Sequence, residues 1–204
     1  MKKILCFGDS NTYGYIPQTG GRYGADERWT GILAERLFSY GYKIIEGGLN
    51  GRTTVFDDER SADRNGSNAI LPLLKENDPV DIVLIMLGTN DCKTKFAADA
   101  DMITAGMGVL ISMIRAFSPD TRIFIIVPAE ITGSVLYEDG DFDRDSIEKS
   151  CLLKDKYAAL ARERDCGCLC AGDIVKADPS DGVHLSAASH RLLAEELFRV
   201  IISE

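Results

Sequence analysis

Two short runs of the sequence contain only apolar residues, and they limit the folds that the chain can adopt. They are IVLIML, residues 82–87, and IFIIV, residues 123–127. Apolar runs of this length, without alternating polar residues, are typical of strands buried on both faces of a parallel sheet. We predict five strands, at residues 3–7, 43–46, 81–87, 122–127 and, with a weaker pattern, 168–173.

Helical patterns separate the predicted strands. Apolar residues recur with helical spacing in four segments, residues 29–40, 101–117, 145–164 and 186–202. Asn77-Asp78-Pro79 and Ser118-Pro119-Asp120 are helix stop signals that stand just before a strand. Strands that alternate with helices predict a three-layer α/β/α sandwich with right-handed crossovers. Because we find no repeat or long linker, we interpret residues 1–204 as a single domain.

Polar residues and glycines follow the carboxyl ends of four predicted strands. In open α/β sheets, ligands bind outside these ends, near the point where the strand order reverses. The four segments are GDSNT at residues 8–12, GGLNGRTT at 47–54, GTND at 88–91 and DPSDGVHL at 178–185. Together they supply a serine, a histidine, a carboxylate, an amide side chain and flexible glycine backbone. Acyl transfer from an ester requires these groups.

Each candidate residue also fits a structural role when it is considered alone. Ser10 fits the N-cap of the next helix equally well, and Gly51 and Asn90 fit turn positions. His184 alone fits an ordinary surface histidine. His190 lies in register with the apolar positions of the last helix, which favours packing. The occurrence of four such segments at equivalent strand ends favours the chemical interpretation.

The four segments resemble, in order and spacing, the blocks of the SGNH (GDSL-type) esterases and acyltransferases. The blocks are named for Ser, Gly, Asn and His, and they match Ser10, Gly51, Asn90 and His184, with Asp181 three residues before the histidine. The resemblance covers the whole chain and implies the flavodoxin-like fold of that family. It is closest to the bacterial arylesterase/acyltransferase (perhydrolase-like) branch, through KILCFGDSNTYGY, RWTG and GLNGRTTVFDD followed by IMLGTND.

This resemblance implies a mechanism for ester hydrolysis. Ser10 is expected to attack the ester carbonyl, with His184 as general base and Asp181 orienting the imidazole. The oxyanion is expected to be held by the backbone N–H groups of Ser10 and Gly51 and by the side-chain amide of Asn90. Water releases the acyl group, or an alcohol does so in an acyltransferase. The mechanism needs no metal and no organic cofactor.

The expected substrate is a small-molecule ester with a short acyl chain on a small or aryl alcohol. Asn11 stands where the family's name motif has leucine, so the substrate preference of this chain is open. Our candidates for binding substrate are Asp9, Asn11, Tyr15 and Trp29, and Tyr13, Ile16 and Phe56 are further candidates for lining an acyl pocket. Core packing is the alternative for these aromatic and apolar residues, and it is favoured for Trp29.

Two other functions fit the same residues. The first is a carbohydrate O-acetylesterase of the same family. The second is a non-catalytic flavodoxin-like module that binds a small ligand at the same sheet edge. An α/β-hydrolase nucleophile elbow is excluded because Thr12 stands at the position of its second glycine. A phosphate-binding loop is excluded because the chain lacks Gly-Lys-Ser/Thr.

Composition limits the expected partners and location. The net charge is −9, from 23 basic and 32 acidic residues, which argues against binding nucleic acid or an anionic membrane. The first apolar run has only four residues, whereas a secretory signal needs roughly 7–15. We therefore expect a cytoplasmic location. A homo-oligomer is expected from the family resemblance alone.

Six cysteines are expected to be reduced in that compartment. Three of them alternate in CGCLC, at Cys166, Cys168 and Cys170. One-residue spacing without a second Cys/His pair differs from the usual zinc motifs. The pattern favours strand packing over metal binding, because free cysteine behaves as a small hydrophobic residue.

Overall fold

The computed structural model describes residues 1–203, which contain five strands and seven α-helices. The strands are β1 (Lys2–Gly8), β2 (Tyr42–Gly48), β3 (Ile82–Met86), β4 (Arg122–Val127) and β5 (Gly167–Cys170). The helices are α1 (Ser10–Tyr13), α2 (Trp29–Phe38), α3 (Gly66–Asn77), α4 (Ala100–Phe117), α5 (Val135–Glu138), α6 (Arg144–Glu163) and α7 (Ala187–Ile202). Short 3₁₀ turns form at Ala62–Arg64, Asn90–Cys92, Thr94–Phe96 and Ala171–Asp173.

All five strands are parallel, and they follow the spatial order β2-β1-β3-β4-β5. The predicted five-stranded parallel sheet is therefore confirmed. Gly8 of β1 pairs with Gly48 of β2 on one side and with Met86 of β3 on the other. The three strands thus end at the same level, and the segments that follow them meet where the strand order reverses.

Strand β1, an interior strand of the sheet, is buried on both faces. Leu5 and Phe7 belong to the apolar cluster that contains residues of α3, α4 and α6. Ile4 and Cys6 belong to a second cluster, on the opposite face, that contains residues of α2 and α7. Burial of both faces in this way is the general reason that parallel strands have continuous apolar sequences.

Helix α1 begins directly where β1 ends. Asp9 is its N-cap, and the Oδ1 atom of Asp9 accepts a hydrogen bond of 2.9 Å from the N–H of Asn11. Ser10 is the first residue of the helix and does not cap it. The cap of this helix and the candidate nucleophile are therefore adjacent but different residues.

Several element boundaries differ from the prediction, and helix α3 was not predicted as a whole. The fifth strand ends at Cys170, because residues 171–173 form a 3₁₀ turn instead of continuing the extended backbone. Helix α2 ends at Phe38 and not at residue 40. The sequence indicated only the end of α3, because Gly66 at its start and Pro72 inside it weaken the helical pattern.

Helix α4 is, by length and composition, long and apolar enough to cross a membrane. Its Ile103, Met107 and Leu110 are fully buried in the apolar cluster with α3 and α6. A core helix of a globular domain has the same composition, and α4 has this position in the described structure.

We predict that Gly48→Ala destabilises the protein by about 1–3 kcal/mol, the usual cost of overpacking. A Cβ atom at residue 48 would lie 2.6 Å from the carbonyl carbon of Thr12 and would overlap the backbone of Tyr13. Helix α1 would have to move away from β2. Urea unfolding measures the change, and Gly140→Ala is the matched control because no atom lies within 4 Å of its added Cβ. Equal stability of the two variants would contradict this tight packing of α1.

Candidate active site

Ser10 faces the loop that precedes the last helix. Its Oγ atom lies 3.0 Å from Nε2 of His184, although the two residues are 174 positions apart. Ser10 is buried, with 7% of its surface exposed. The fold brings the two residues together, because Ser10 follows the end of β1 and His184 lies between β5 and α7.

The second nitrogen of the His184 imidazole contacts Asp181. Nδ1 lies 2.7 Å from Oδ2 of Asp181, and Oδ1 of Asp181 accepts hydrogen bonds of 2.9 Å from the N–H groups of Val183 and His184. Burial acts to raise the pKa of Asp181, but the hydrogen bonds from His184 and Val183 outweigh it and hold this pKa below its ordinary value. An ionised Asp181 favours the tautomer with the proton on Nδ1, which leaves Nε2 free to accept the proton of Ser10.

The loop that carries Asp181 and His184 is held by neighbouring backbone. The N–H of Thr132 donates a 2.9 Å hydrogen bond to the carbonyl of Gly182, and the N–H of Asp178 donates one of 2.7 Å to the carbonyl of His184. These bonds connect the loop to the segment after β4 and close the loop on itself. The imidazole therefore has a defined position before any substrate binds.

Tyr15 covers one side of the imidazole. The centroids of the Tyr15 and His184 rings are 4.3 Å apart, with an angle of 34° between the ring planes. Tyr15 is half-buried, and its N–H donates a 3.0 Å hydrogen bond to the carbonyl of Ser10. Among our candidates for binding substrate, Tyr15 is the one whose ring contacts the His184 imidazole.

Asn90 contacts the segments that follow β1 and β2. The Nδ2 atom of Asn90 donates to the carbonyl of Arg52 at 3.2 Å, and it lies 3.5 Å from Oδ2 of Asp9. Gly51 has a φ of +82°, a backbone conformation that glycine adopts without strain. The segments after β1, β2 and β3 thus meet at Asn90, which contacts Asp9 and Arg52.

The side chains of Asn11 and Trp29, two of our candidates for binding substrate, are buried. The side-chain amide of Asn11 is buried and bonds to the backbone of Val183 and Leu185. Trp29 is fully buried in the core cluster with α7, and its Nε1 donates a 3.0 Å hydrogen bond to the carbonyl of Asn11. The core position that was favoured for Trp29 is the one that the structure gives.

The three alternating cysteines lie away from this site, on and beside the edge strand β5. Cys166 and Cys170 pack against one apolar cluster, whereas Cys168 is exposed. No group of three or more His, Cys, Asp or Glu side chains within residues 1–203 is arranged to hold a metal ion.

Comparison with known proteins decides the family. A model of the GDSL-like lipase/acylhydrolase family matches residues 6–192. The chain belongs to this family. A carbohydrate acetylesterase from Sinorhizobium meliloti is 35% identical, with a TM-score of 0.94 and coverage of 100% of this chain and 99% of that chain. The M. smegmatis aryl esterase is 32% identical, with a TM-score of 0.91 and the same coverage of both chains. A search of curated proteins gave no match.

In this SGNH protein, a buried arginine that our sequence analysis did not select supports the site. Arg52 donates to the carbonyl of Gly8 at 3.0 Å and to that of Gly47, so it joins the ends of β1 and β2. Burial lowers the pKa of Arg52 to about 10, although nearby Asp9 and Asp63 raise it. Arg52 is therefore charged at neutral pH. The only sequence signal was an arginine inside a glycine-rich strand-end segment.

Two buried carboxyl groups are adjacent in sequence to SGNH residues: Asp9 precedes Ser10, and Asp91 follows Asn90. Burial raises the pKa of Asp9 to about 6, against the effects of the Asn11 N–H, His184 and Arg52. Burial also raises the pKa of Asp91 to about 6, against its hydrogen bonds from Thr54. Oδ1 of Asp91 accepts from the N–H of Thr54 at 2.9 Å and from its hydroxyl, whereas Oδ2 has no hydrogen-bond partner. Asp91 thereby holds the segment that contains Gly51 against the segment that contains Asn90.

We predict that Asp91→Asn changes how stability depends on pH. The pKa of Asp91 in the folded protein, about 6, lies above the ordinary value of 3.8, so the folded protein keeps a proton that the unfolded chain releases. The stabilisation from this proton is complete below about pH 4 and is lost as the pH rises through 6. The variant lacks this loss. Its free energy of unfolding relative to the wild type should rise by up to about 3 kcal/mol between about pH 4 and pH 7.

Urea unfolding of both proteins at several pH values measures this difference. Subtraction of the wild-type curve cancels groups that titrate in both proteins. One of these is His190, whose pKa burial lowers to about 4 and whose contribution has the opposite sign. A difference that does not change with pH would contradict a raised pKa for Asp91.

Proposed function

We propose that this chain is a serine esterase in which Ser10, His184 and Asp181 perform the hydrolysis of short-chain esters. The observation that carries the proposal is the unbroken series of contacts from the Ser10 hydroxyl to the imidazole, at 3.0 Å, and from the imidazole to the Asp181 carboxylate, at 2.7 Å. Family membership and two esterase neighbours of nearly full coverage support the same class of reaction.

The first step is attack of Ser10 Oγ on the ester carbonyl carbon. The hydroxyl proton moves to Nε2 of His184, and the ionised Asp181 stabilises the imidazolium that results. The same imidazolium then donates this proton to the departing alcohol oxygen, which leaves an acyl group on Ser10. Each proton transfer needs a donor and an acceptor within about 3 Å, which is the separation of Oγ and Nε2.

The oxyanion of the tetrahedral intermediate is assigned to three donors. They are the backbone N–H groups of Ser10 and Gly51 and the side-chain amide of Asn90. The 3.2 Å hydrogen bond to the Arg52 carbonyl uses one of the two N–H groups of Asn90 and orients the amide before the reaction. The other N–H group, whose contact with Asp9 is long at 3.5 Å, is the one assigned to the oxyanion. Donors that are oriented in advance stabilise developing charge without reorganising during the reaction.

Water then attacks the acyl carbon while His184 removes a proton from it. The bond between the acyl carbon and Ser10 Oγ breaks, and the imidazolium returns the proton to Oγ, so the acid is released and the enzyme regains its starting state. An alcohol that enters in place of water is activated by the same imidazole and gives a new ester. Acyl transfer is therefore an extension of the proposal that requires no further residue. The ratio of free acid to new ester, measured in water with added alcohol, reports the balance between the two reactions.

A short acyl chain fits the surroundings of the nucleophile. Ser10 is only 7% exposed, and the Tyr15 ring covers one side of the His184 imidazole that Ser10 contacts. Two candidates fit the alcohol part of the substrate, an aryl alcohol and a sugar. The aryl esterase neighbour favours an aryl ester, and the carbohydrate acetylesterase neighbour, which is 35% identical, favours an acetylated sugar.

We predict that Ser10→Ala and His184→Ala each lower kcat/KM for p-nitrophenyl acetate by about 10⁴-fold or more. Each change removes a group that takes part in forming the acyl-enzyme. Steady-state assays with purified protein measure the loss, and Ser39→Ala, on the exposed end of α2, is the matched control. Undiminished turnover in both catalytic variants would contradict the proposal. An absence of ester turnover in the wild-type protein would support the small-ligand binding module instead.

We predict that acetate and butyrate esters of p-nitrophenol are hydrolysed faster than long-chain esters, because Ser10 is recessed. A series of acyl lengths assayed for kcat/KM tests this order. Phenyl acetate and an acetylated sugar, assayed alongside, decide between the two alcohols. Faster hydrolysis of the long-chain esters would overturn the assignment of a short acyl group.

A further inference from the structure

We propose that Asn11 is a positioning residue that holds the His184 backbone in register with Ser10. This inference rests on the proposed function, in which His184 is the general base. The side chain of Asn11 forms two hydrogen bonds that lie on either side of His184 in the chain. Its Nδ2 donates to the carbonyl of Val183 at 3.2 Å, and its Oδ1 accepts from the N–H of Leu185 at 2.9 Å.

We call these two hydrogen bonds, from the Asn11 side chain to the backbone of Val183 and Leu185, the Asn11 clamp. Both of them are buried. Asn11 itself is 5% exposed, and Val183 and Leu185 are also buried. An amide side chain has one donor and one acceptor group, and here they match one backbone carbonyl and one backbone N–H. Because water does not compete at this position, loss of the amide leaves the Val183 carbonyl and the Leu185 N–H buried without a partner, which destabilises this arrangement of the loop.

The backbone of Asn11 is itself fixed by the segment that carries the nucleophile. Its N–H donates to Oδ1 of the cap residue Asp9 at 2.9 Å, and its carbonyl accepts from Nε1 of Trp29 at 3.0 Å. Asn11 directly follows Ser10. One residue therefore connects the helix that presents the hydroxyl to the loop that presents the imidazole.

The other bonds of the histidine loop do not replace this connection. Asp181 orients the imidazole but belongs to the same loop, so the two residues can move together relative to Ser10. Thr132 holds Gly182 against the segment after β4. Apart from the Ser10–His184 contact itself, the Asn11 amide provides the hydrogen bonds described between this loop and α1.

Asn11 also occupies the position where the family's name motif has leucine. A leucine side chain has no hydrogen-bonding atoms, so it cannot bond to the Val183 carbonyl or the Leu185 N–H. Asn11→Leu keeps a side chain of similar size and removes both bonds. Asn11→Asp keeps the acceptor for Leu185 and loses the donor to Val183. The pair of variants therefore removes the clamp in two steps.

The test measures kcat and KM for p-nitrophenyl acetate and the rate of labelling by a fluorophosphonate probe in both variants. Because a small misplacement of a reacting group is costly, we expect Asn11→Leu to lower kcat and the labelling rate by about 10- to 100-fold. We expect KM to change little and Asn11→Asp to give a smaller loss. Asn77→Leu, which removes a side-chain bond to the Leu73 carbonyl at the far end of α3, is the control for a lost asparagine.

Three results would overturn the inference. They are a folded Asn11→Leu protein with wild-type kcat and labelling rate, an effect confined to KM, and an equal loss of kcat in Asn77→Leu. If Asn11→Leu does not fold, Asn11→Asp decides by the same criteria. Ser10→Ala and His184→Ala, run in the same assay, separate this inference from the proposed function. Their inactivity beside an active Asn11→Leu would reject the clamp alone, whereas their activity would reject the mechanism itself.

Discussion

The location of the candidate active site is set by β1, an interior strand of the parallel sheet. β1 pairs with β2 and β3 at the point where the strand order reverses, and all three strands end at the same level. Their apolar side chains face helices on both sides, so the polar groups that follow them are confined to one edge. This arrangement brings together the segments that contain Ser10, Gly51 and Asn90, although the three residues are far apart in the sequence.

Buried polar side chains near that edge form hydrogen bonds that fix the positions of the strand-end segments. Arg52 joins the ends of β1 and β2 through backbone carbonyls, and Asp91 holds Thr54. Asn11 bonds to the backbone on both sides of His184. Each of these residues is polar, buried and bonded to backbone. A catalytic group has to be held within a fraction of an ångström, and hydrogen bonds to backbone restrict loop positions more sharply than apolar contacts do.

The sequence predicted the architecture because burial of both strand faces leaves a direct record in apolar runs such as residues 82–87 and 123–127. It also selected Ser10, Asp181 and His184, and the imidazole of His184 lies within hydrogen-bonding distance of both Ser10 and Asp181. It did not indicate the Asn11 clamp or the buried Arg52 and Asp91. Their partners are backbone atoms of distant segments, and a backbone carbonyl leaves no residue-specific signal in a sequence. Helix α3 was only partly visible for a different reason, since Gly66 and Pro72 are poor helix formers.

We propose that the Oγ atom of Ser10 carries the acyl group during ester hydrolysis. The most direct measurement is peptide mapping by mass spectrometry after the wild-type protein reacts with a fluorophosphonate probe, with Ser10→Ala treated in parallel. The account predicts one adduct for each chain, confined to the peptide that contains Ser10 and absent from the variant. An adduct on another residue, or equal labelling of Ser10→Ala, would contradict it.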